Sequence, residues 1–261
     1  MEDQMLCTLS ETAREAGEKL LEYFGHLHSN EIVHKGKTDL VSVADRTAEQ
    51  LIRAKLNKAY PEIGFHGEES GGVPFDQGKI FETDPLDGTN NFIHGMPLFC
   101  VSLAYVENGV SQAGVVYAPL LNELFSAKRG EGAWLNGKPL HVSTVSNLID
   151  AEVESGYSCV RAQLPKDNAP IIEELVHKVL CVRVIGSFAL SLCWLAAGRF
   201  DAAWELKLGP WDWAAGKLLV EEAGGKVTDV TGAPLDWHSG RILASNGLIH
   251  APLTEAIAKY F

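Results

Sequence analysis

The stretch Asp84-Pro85-Leu86-Asp87-Gly88-Thr89-Asn90-Asn91 sets two carboxylates three residues apart, directly ahead of a Gly-Thr turn with polar followers. Carboxylate and carbonyl oxygens are the hard donors that Mg²⁺ prefers. A glycine turn that opens a helix would also present backbone N–H groups to an anion, so the stretch suits a divalent metal and a phosphate together. More acids stand beside glycine or proline at expected element ends: Glu68 and Glu69 in Gly67-Glu68-Glu69-Ser70, and Asp212 in Gly209-Pro210-Trp211-Asp212-Trp213. Each has a commonplace alternative. Glu68-Glu69 also reads as a solvated turn, Asp212 as a helix N-cap, and Asp84 with Asp87 as turn chemistry alone.

These residues need a scaffold, and the hydrophobic spacing supplies one. Met5, Leu6, Leu9, Ala13, Ala16, Leu20, Leu21 and Phe24 recur at three-and-four spacing, which predicts an amphipathic helix over 5–24. A second helix is predicted over about 44–59, burying Ala48, Leu51, Ile52, Leu56 and Ala59 and stopped by Pro61. Between them Val33 to Asp39 mixes glycine with charge and reads as an exposed loop. From Leu98 to about residue 142, β-branched and aromatic residues alternate between turn dipeptides such as Asn108-Gly109 and Asn136-Gly137, which predicts an antiparallel meander. Beyond 145, helices are expected at 168–179, 187–198 and 212–223, and strands at 151–157, 181–185 and 226–230. Residues 1–145 and 146–261 are thus expected to form two lobes of one compact unit.

Composition narrows the function classes. The chain of 261 residues is 46% hydrophobic and 21% charged, enough for a substantial core. A net charge of −12 without a strong basic run argues against nucleic-acid binding. Cys7, Cys100, Cys159, Cys181 and Cys193 are odd in number and widely spaced, so reduced, buried thiols are expected in place of a disulfide framework or zinc knuckle. The N-terminal residues are acidic and no apolar run approaches the ~20 residues of a membrane span, so a cytoplasmic location is the default expectation. No H-E-x-x-H or G-x-x-x-x-G-K-[ST] is present, and Gly130-Glu131-Gly132 lacks the third glycine of a dinucleotide fingerprint.

In combination and order, G-E-E-S at 67–70, D-P-L-D-G-T-N-N-F-I-H-G at 84–95, W-D-W-A-A-G at 211–216 and E-A-G-G at 222–225 resemble the inositol monophosphatase family of Mg²⁺-dependent, lithium-sensitive sugar-phosphate phosphatases. The resemblance spans nearly the whole chain. It implies the layered αβαβα sandwich, of α+β or α/β class, shared with the fructose-1,6-bisphosphatases. It implies that Glu68, Asp84 and the Leu86 carbonyl are ligands of a first Mg²⁺, that Asp84, Asp87 and Asp212 are ligands of a second, and that Glu68 holds a weaker third. Such pairs sit roughly 3.5–4 Å apart and stabilise both oxygens of an in-line displacement. The nucleophile would be a metal-activated water oriented by Glu68 and the Thr89 hydroxyl, with Asp45 bonded to Thr89 as a supporting base and no covalent phosphoenzyme. Asp45 otherwise reads as the N-cap of the second helix. Gly88 and Thr89 N–H groups would receive the phosphate.

For the organic part of the substrate, the resemblance assigns Glu205 to the sugar hydroxyls and Gly186, Ser187 and Ala189 to the turn bordering the sugar, with Asp87 and Asp212 nearby. Without it, Glu205 is a strand-end surface glutamate and 186–189 a small-residue helix start. Tyr157 and Ser158 are expected close by, and Lys35 and Lys37 either reach toward the phosphate or are simply solvated. Trp204, Trp211 and Trp213 read as aromatic packing around Asp212 in preference to a carbohydrate-stacking surface. Lys207-Leu208-Gly209-Pro210 resembles the prokaryotic branch, where animal relatives carry histidine at the place of Gly209. The implied reaction is phosphate-monoester hydrolysis, inositol 1-phosphate first, with fructose 1,6-bisphosphate and histidinol phosphate as alternatives and a nucleotide 3′-phosphatase fitting less well. A binding or regulatory protein on a phosphatase fold is the alternative of another class. A homodimer is the family expectation.

Overall fold

The structure, a computed structural model, describes residues 4–28, 31–34, 40–72 and 78–261. Two sheets organise it. The first has eight strands in the spatial order Lys138–Pro139, Gly132–Leu135, Glu123–Lys128, Val110–Ala118, Cys100–Glu107, Lys79–Asp87, Gly64–Gly67, Gly71–Gly72. The second has five, in the order Cys181–Arg183, Glu152–Ser155, Ala202–Glu205, Ile242–Ser245, Lys226–Thr228.

Helices fill the remaining layers. The helices Gln4–Leu21 and Val43–Ala59 pack together on one face of the first sheet, burying Leu9, Ala13, Ala16, Leu20, Ala48, Ile52 and Leu56 against Phe81, Leu103 and Val115. Phe188–Ala196 and Ala214–Glu222 lie between the sheets, where Leu192, Leu195, Leu218 and Leu219 meet Val116 on one side and Ala203 and Ala244 on the other. Ala169–Leu175 and His250–Ala258 close the far face with Ile171, Leu175, Leu253 and Ile257. The result is the expected αβαβα sandwich.

The meander from Cys100 to Pro139 forms as predicted. Its Asn108-Gly109 and Asn136-Gly137 turns have positive φ at both residues (50° and 72°, 49° and 78°), the backbone that two-residue hairpins need. Several expectations are corrected. Ile32–His34 pairs antiparallel with Leu40–Ser42, so Val33 and His34 belong to a strand in place of a loop, while Lys35, Lys37 and Asp39 lie outside the described residues. Ala59, in the last turn of its helix, is exposed. The helix expected at 168–179 is Ala169–Leu175, and that at 212–223 begins at Ala214, after a 3₁₀ turn over Pro210–Asp212. Strands Gly64–Gly67, Lys79–Asp87 and Ile242–Ser245 and helix His250–Ala258 have no counterpart in the sequence-based assignment. Cys100, Cys159 and Cys193 are buried thiols as expected, but Cys7 is exposed. No helix among the described residues is long and apolar enough to cross a membrane.

Candidate active site

Asp84 and Asp87 end the strand Lys79–Asp87, and their spacing poses a geometric problem. Alternation along a strand would send residues three apart to opposite faces. The pairing with Cys100–Glu107 resolves it: Asp84 lies opposite Ser102 and Asp87 opposite Cys100, so one extra residue is accommodated between the aspartates. Pro85, which has no N–H to give the ladder, falls inside this bulge. Carboxylate oxygens of Asp84, Asp87 and Asp212 consequently lie within 4.8 Å of one another.

Each aspartate is tied down separately. Asp84 Oδ1 accepts the Leu86 N–H at 2.8 Å. Asp87 Oδ2 accepts the Ser187 hydroxyl and the Ala189 N–H, both at 2.7 Å, and so satisfies donors at the start of the Phe188–Ala196 helix from a distant part of the chain. Asp212 Oδ2 accepts the Gly209 N–H at 2.7 Å, closing the 3₁₀ turn ahead of the next helix, whose N-cap is Trp213. Burial, followed by the charges of Glu68, Asp87 and Asp212, pushes the Asp84 carboxyl well above its ordinary value. Burial, then Asp87 and Glu68, does the same to Asp212, and burial raises Asp87 to about 6. One buried and two half-buried acids held together in this way fit a divalent cation, because each repels the others until a positive charge arrives.

Thr89 stands beside them. Gly88, at φ 99°, turns the chain into the short helix Thr89–Ile93, and a Cβ there would lie 2.8 Å from the Leu98 carbonyl. Thr89 Oγ1 is 3.0 Å from both Asp45 Oδ1 and the Leu86 carbonyl, and its single proton serves one of them at a time. Asp45 is not the N-cap of its helix. Ser42 is, and Asp45 completes a capping box by accepting the Ser42 N–H and hydroxyl at 2.7 and 2.6 Å. Its other oxygen is thereby left for Thr89, and burial raises its pKa.

A cavity of about 690 Å³ opens over the cluster. Glu68, Asp84, Leu86, Asp87, Gly88, Thr89 and Asp212 line it, together with Gly186, Ser187, Glu205, Tyr157 and Ser158. Ala189 is fully buried and acts through its N–H on Asp87. Glu205, only 4% exposed, is not a surface residue. Its Oε1 accepts the Asn168 amide at 2.6 Å and its Oε2 the Ser158 hydroxyl at 2.5 Å, so its carboxylate is aimed by these two side chains. Of the tryptophans, Trp204 and Trp213 are buried as predicted, whereas Trp211 reaches the cavity wall and meets the His66 ring edge-on at 5.0 Å.

Sequence reasoning missed Glu154, Arg161 and Lys207, which also line the cavity. Glu154 is 2% exposed, accepts the Ile185 N–H at 3.4 Å, and burial pushes its carboxyl well up. Nothing flanks it that marks a site; only its place in the strand Glu152–Ser155 beside Ala203 brings it there. Asn91 was visible only as part of a motif, yet its amide donates to Leu98 and Ile185 carbonyls, each at 2.7 Å, and so joins the two halves of the pocket.

The family model described as the inositol monophosphatase family matches residues 1–261. The chain belongs to the inositol monophosphatase family. It is 39% identical to the inositol-1-monophosphatase of Mesorhizobium japonicum, over 98% of this chain and 96% of that one. It is 40% identical to the Nus factor SuhB of Xylella fastidiosa, over 85% of this chain and 80% of that one. The solved structure of the inositol monophosphatase from Anabaena superposes with a TM-score of 0.89 at 38% identity, covering 98% of this chain and 95% of that one. As an inositol monophosphatase family member, the protein is a phosphoric monoester hydrolase.

Proposed function

We propose that the chain hydrolyses phosphate monoesters in a Mg²⁺-dependent reaction, with inositol 1-phosphate as the first substrate to test. The observation that carries this reading is the gathering of Asp84, Asp87 and Asp212 within 4.8 Å in the wall of a cavity that the buried Glu205 also lines. In this reading Glu68, Asp84, Asp87, Asp212 and the Leu86 carbonyl would hold two Mg²⁺ ions, and Glu68 would take part in a third site. Bound there, the ions would supply Lewis-acid polarisation of the phosphate and lower the pKa of water. The demand is large, since uncatalysed phosphate-monoester hydrolysis calls for enhancements up to ~10²¹-fold.

The chain's own groups do the rest. Glu68 and the Thr89 hydroxyl orient the attacking water, and Asp45, 3.0 Å from Thr89 Oγ1, keeps that hydroxyl directed and takes up proton density from it. Gly88 and Thr89 receive the phosphate. Glu205 accepts hydrogen bonds from the hydroxyls of the organic part, with Gly186 and Ser187 forming the adjoining wall. A polyol therefore suits the surroundings of Glu205 better than an apolar leaving group.

A second reading, a regulatory role beside catalysis, is supported by the relative named Nus factor SuhB. A homodimer and inhibition by lithium are proposed on family membership alone. The test is phosphate release from inositol 1-phosphate, fructose 1,6-bisphosphate, histidinol phosphate and adenosine 3′,5′-bisphosphate, each with Mg²⁺. The inositol ester is expected to be turned over best. Preference for another ester would retain the mechanism and change the substrate, and no release from any would point to a binding or regulatory protein on a phosphatase fold.

A further inference from the structure

The Val43–Ala59 helix directs three polar side chains, one turn apart, at the segments that carry the site. Asp45 meets Thr89. Four residues on, Glu49 Oε2 accepts the backbone N–H of Glu69 at 2.9 Å, and four further on Arg53 Nη2 donates to Ser70 Oγ at 2.6 Å. Residues at this spacing share one stripe of a helix.

Glu49 is only 4% exposed, a rare state for a glutamate without a specific task. The strand beneath is shaped to admit it. A Cβ at Gly67 would stand 2.3 Å from Glu49 Oε2 and 2.9 Å from the Phe65 ring, and that ring is covered by the Arg53 guanidinium at 4.4 Å. Glycine at this position lets the strand run close enough under the helix for the carboxylate to reach the Glu69 N–H. A backbone donor paired with a carboxylate gives a charge-assisted bond, stronger than the neutral contacts a short turn makes for itself. Glu49 does not line the cavity, so its influence passes through the turn.

We propose that Glu49 is a positioning residue: by fixing the 67–70 turn to the same helix that holds Thr89, it sets where Glu68 stands relative to Asp84, Asp87 and Asp212. The inference rests on the reading of Glu68 as a divalent-cation ligand. One helix thereby acts as a common ruler for both groups that orient the water.

Calorimetric titration of Mg²⁺ into the metal-free full-length chain tests this, with kcat and KM measured in parallel at saturating Mg²⁺. Glu49→Gln keeps a carbonyl oxygen for the Glu69 N–H, whereas Glu49→Ala removes the acceptor and Gly67→Ala displaces it from the other side. Both alanine variants are expected to weaken Mg²⁺ binding about tenfold or more, with KM at saturating metal within about twofold and the glutamine variant within about threefold of wild type. A purely structural loss would lower melting temperature and leave the Mg²⁺ affinity of folded molecules unchanged. Folded alanine variants that bind Mg²⁺ as wild type does would overturn the proposal. So would a glutamine variant as impaired as alanine, which would implicate the charge of Glu49 in place of its hydrogen bond. Should Glu49→Ala fail to fold, Gly67→Ala decides. A wild-type chain that binds no Mg²⁺ would instead remove the metal reading itself.

Discussion

Thr89 and Asp45 form the smallest unit of the proposed chemistry, and their roles separate from metal binding in a testable way. The capping box occupies one oxygen of Asp45 with Ser42, so the 3.0 Å contact of the other with Thr89 Oγ1 is the outlet of a buried carboxylate. Replacing Thr89 by alanine removes the hydroxyl and leaves the aspartate cluster in place. Turnover is expected to fall about a hundredfold, while half-saturation by Mg²⁺ moves far less. Unchanged turnover would contradict the water-orienting role, which steady-state kinetics over a Mg²⁺ series would reveal. At this scale much of the site was legible in the sequence, because Asp84, Asp87 and Asp212 each stand in a short, glycine- or proline-marked motif. Glu49 and Glu154 were not, because a glutamate in a helix or strand is ordinarily solvated and only tertiary packing buries these two.

Among the elements, the amphipathic helices and the Asn-Gly hairpins follow from local periodicity and turn chemistry, which is why they could be read in advance. The strand Lys79–Asp87 could not. Its buried residues run without alternation through Ile80 to Leu86, and the bulge at Pro85 looks in sequence like a turn. The final strand and helix are fixed by a buried histidine that local patterns do not mark. His250 spans two strands: Thr228 Oγ1 lies 2.9 Å from Nε2 and Ser245 Oγ 2.8 Å from Nδ1. Thr228 already gives its proton to the Asp229 carbonyl, so Nε2–H donates to Thr228 and Nδ1 accepts from Ser245, which assigns the neutral ring a tautomer. Burial, helped by Lys226, lowers its pKa to about 4. The unfolded chain takes up this proton near pH 6.5, so His250's contribution is complete above that value and is lost, by up to about 3 kcal/mol, as pH falls toward 4. His250→Gln is expected to be less stable than wild type at pH 7, with the gap closing or reversing at pH 4.5. Equal gaps in urea melts at the two pH values would contradict this.

For the whole molecule, the layered sandwich explains why no single segment contains the site. The first sheet delivers Glu68, Asp84 and Asp87, the helix start between the sheets anchors Asp87 through Ser187 and Ala189, and the second sheet delivers Glu205. Asn91 stitches the halves together at the Ile185 carbonyl. Part of the acidic balance of −12 is gathered where Asp84, Asp87 and Asp212 meet, a grouping that folding tolerates through hydrogen bonds and that a divalent cation would neutralise. This grouping is proposed to perform metal-dependent phosphate release. It is tested most directly by inositol 1-phosphate hydrolysis with Mg²⁺ or with excess chelator, in wild type and in Asp212→Asn. Turnover is expected from wild type with Mg²⁺, none with chelator, and a loss of at least about a hundredfold in an Asp212→Asn protein that keeps its fold by circular dichroism. Release that persists in chelator, or an Asp212→Asn protein as active as wild type, would contradict it.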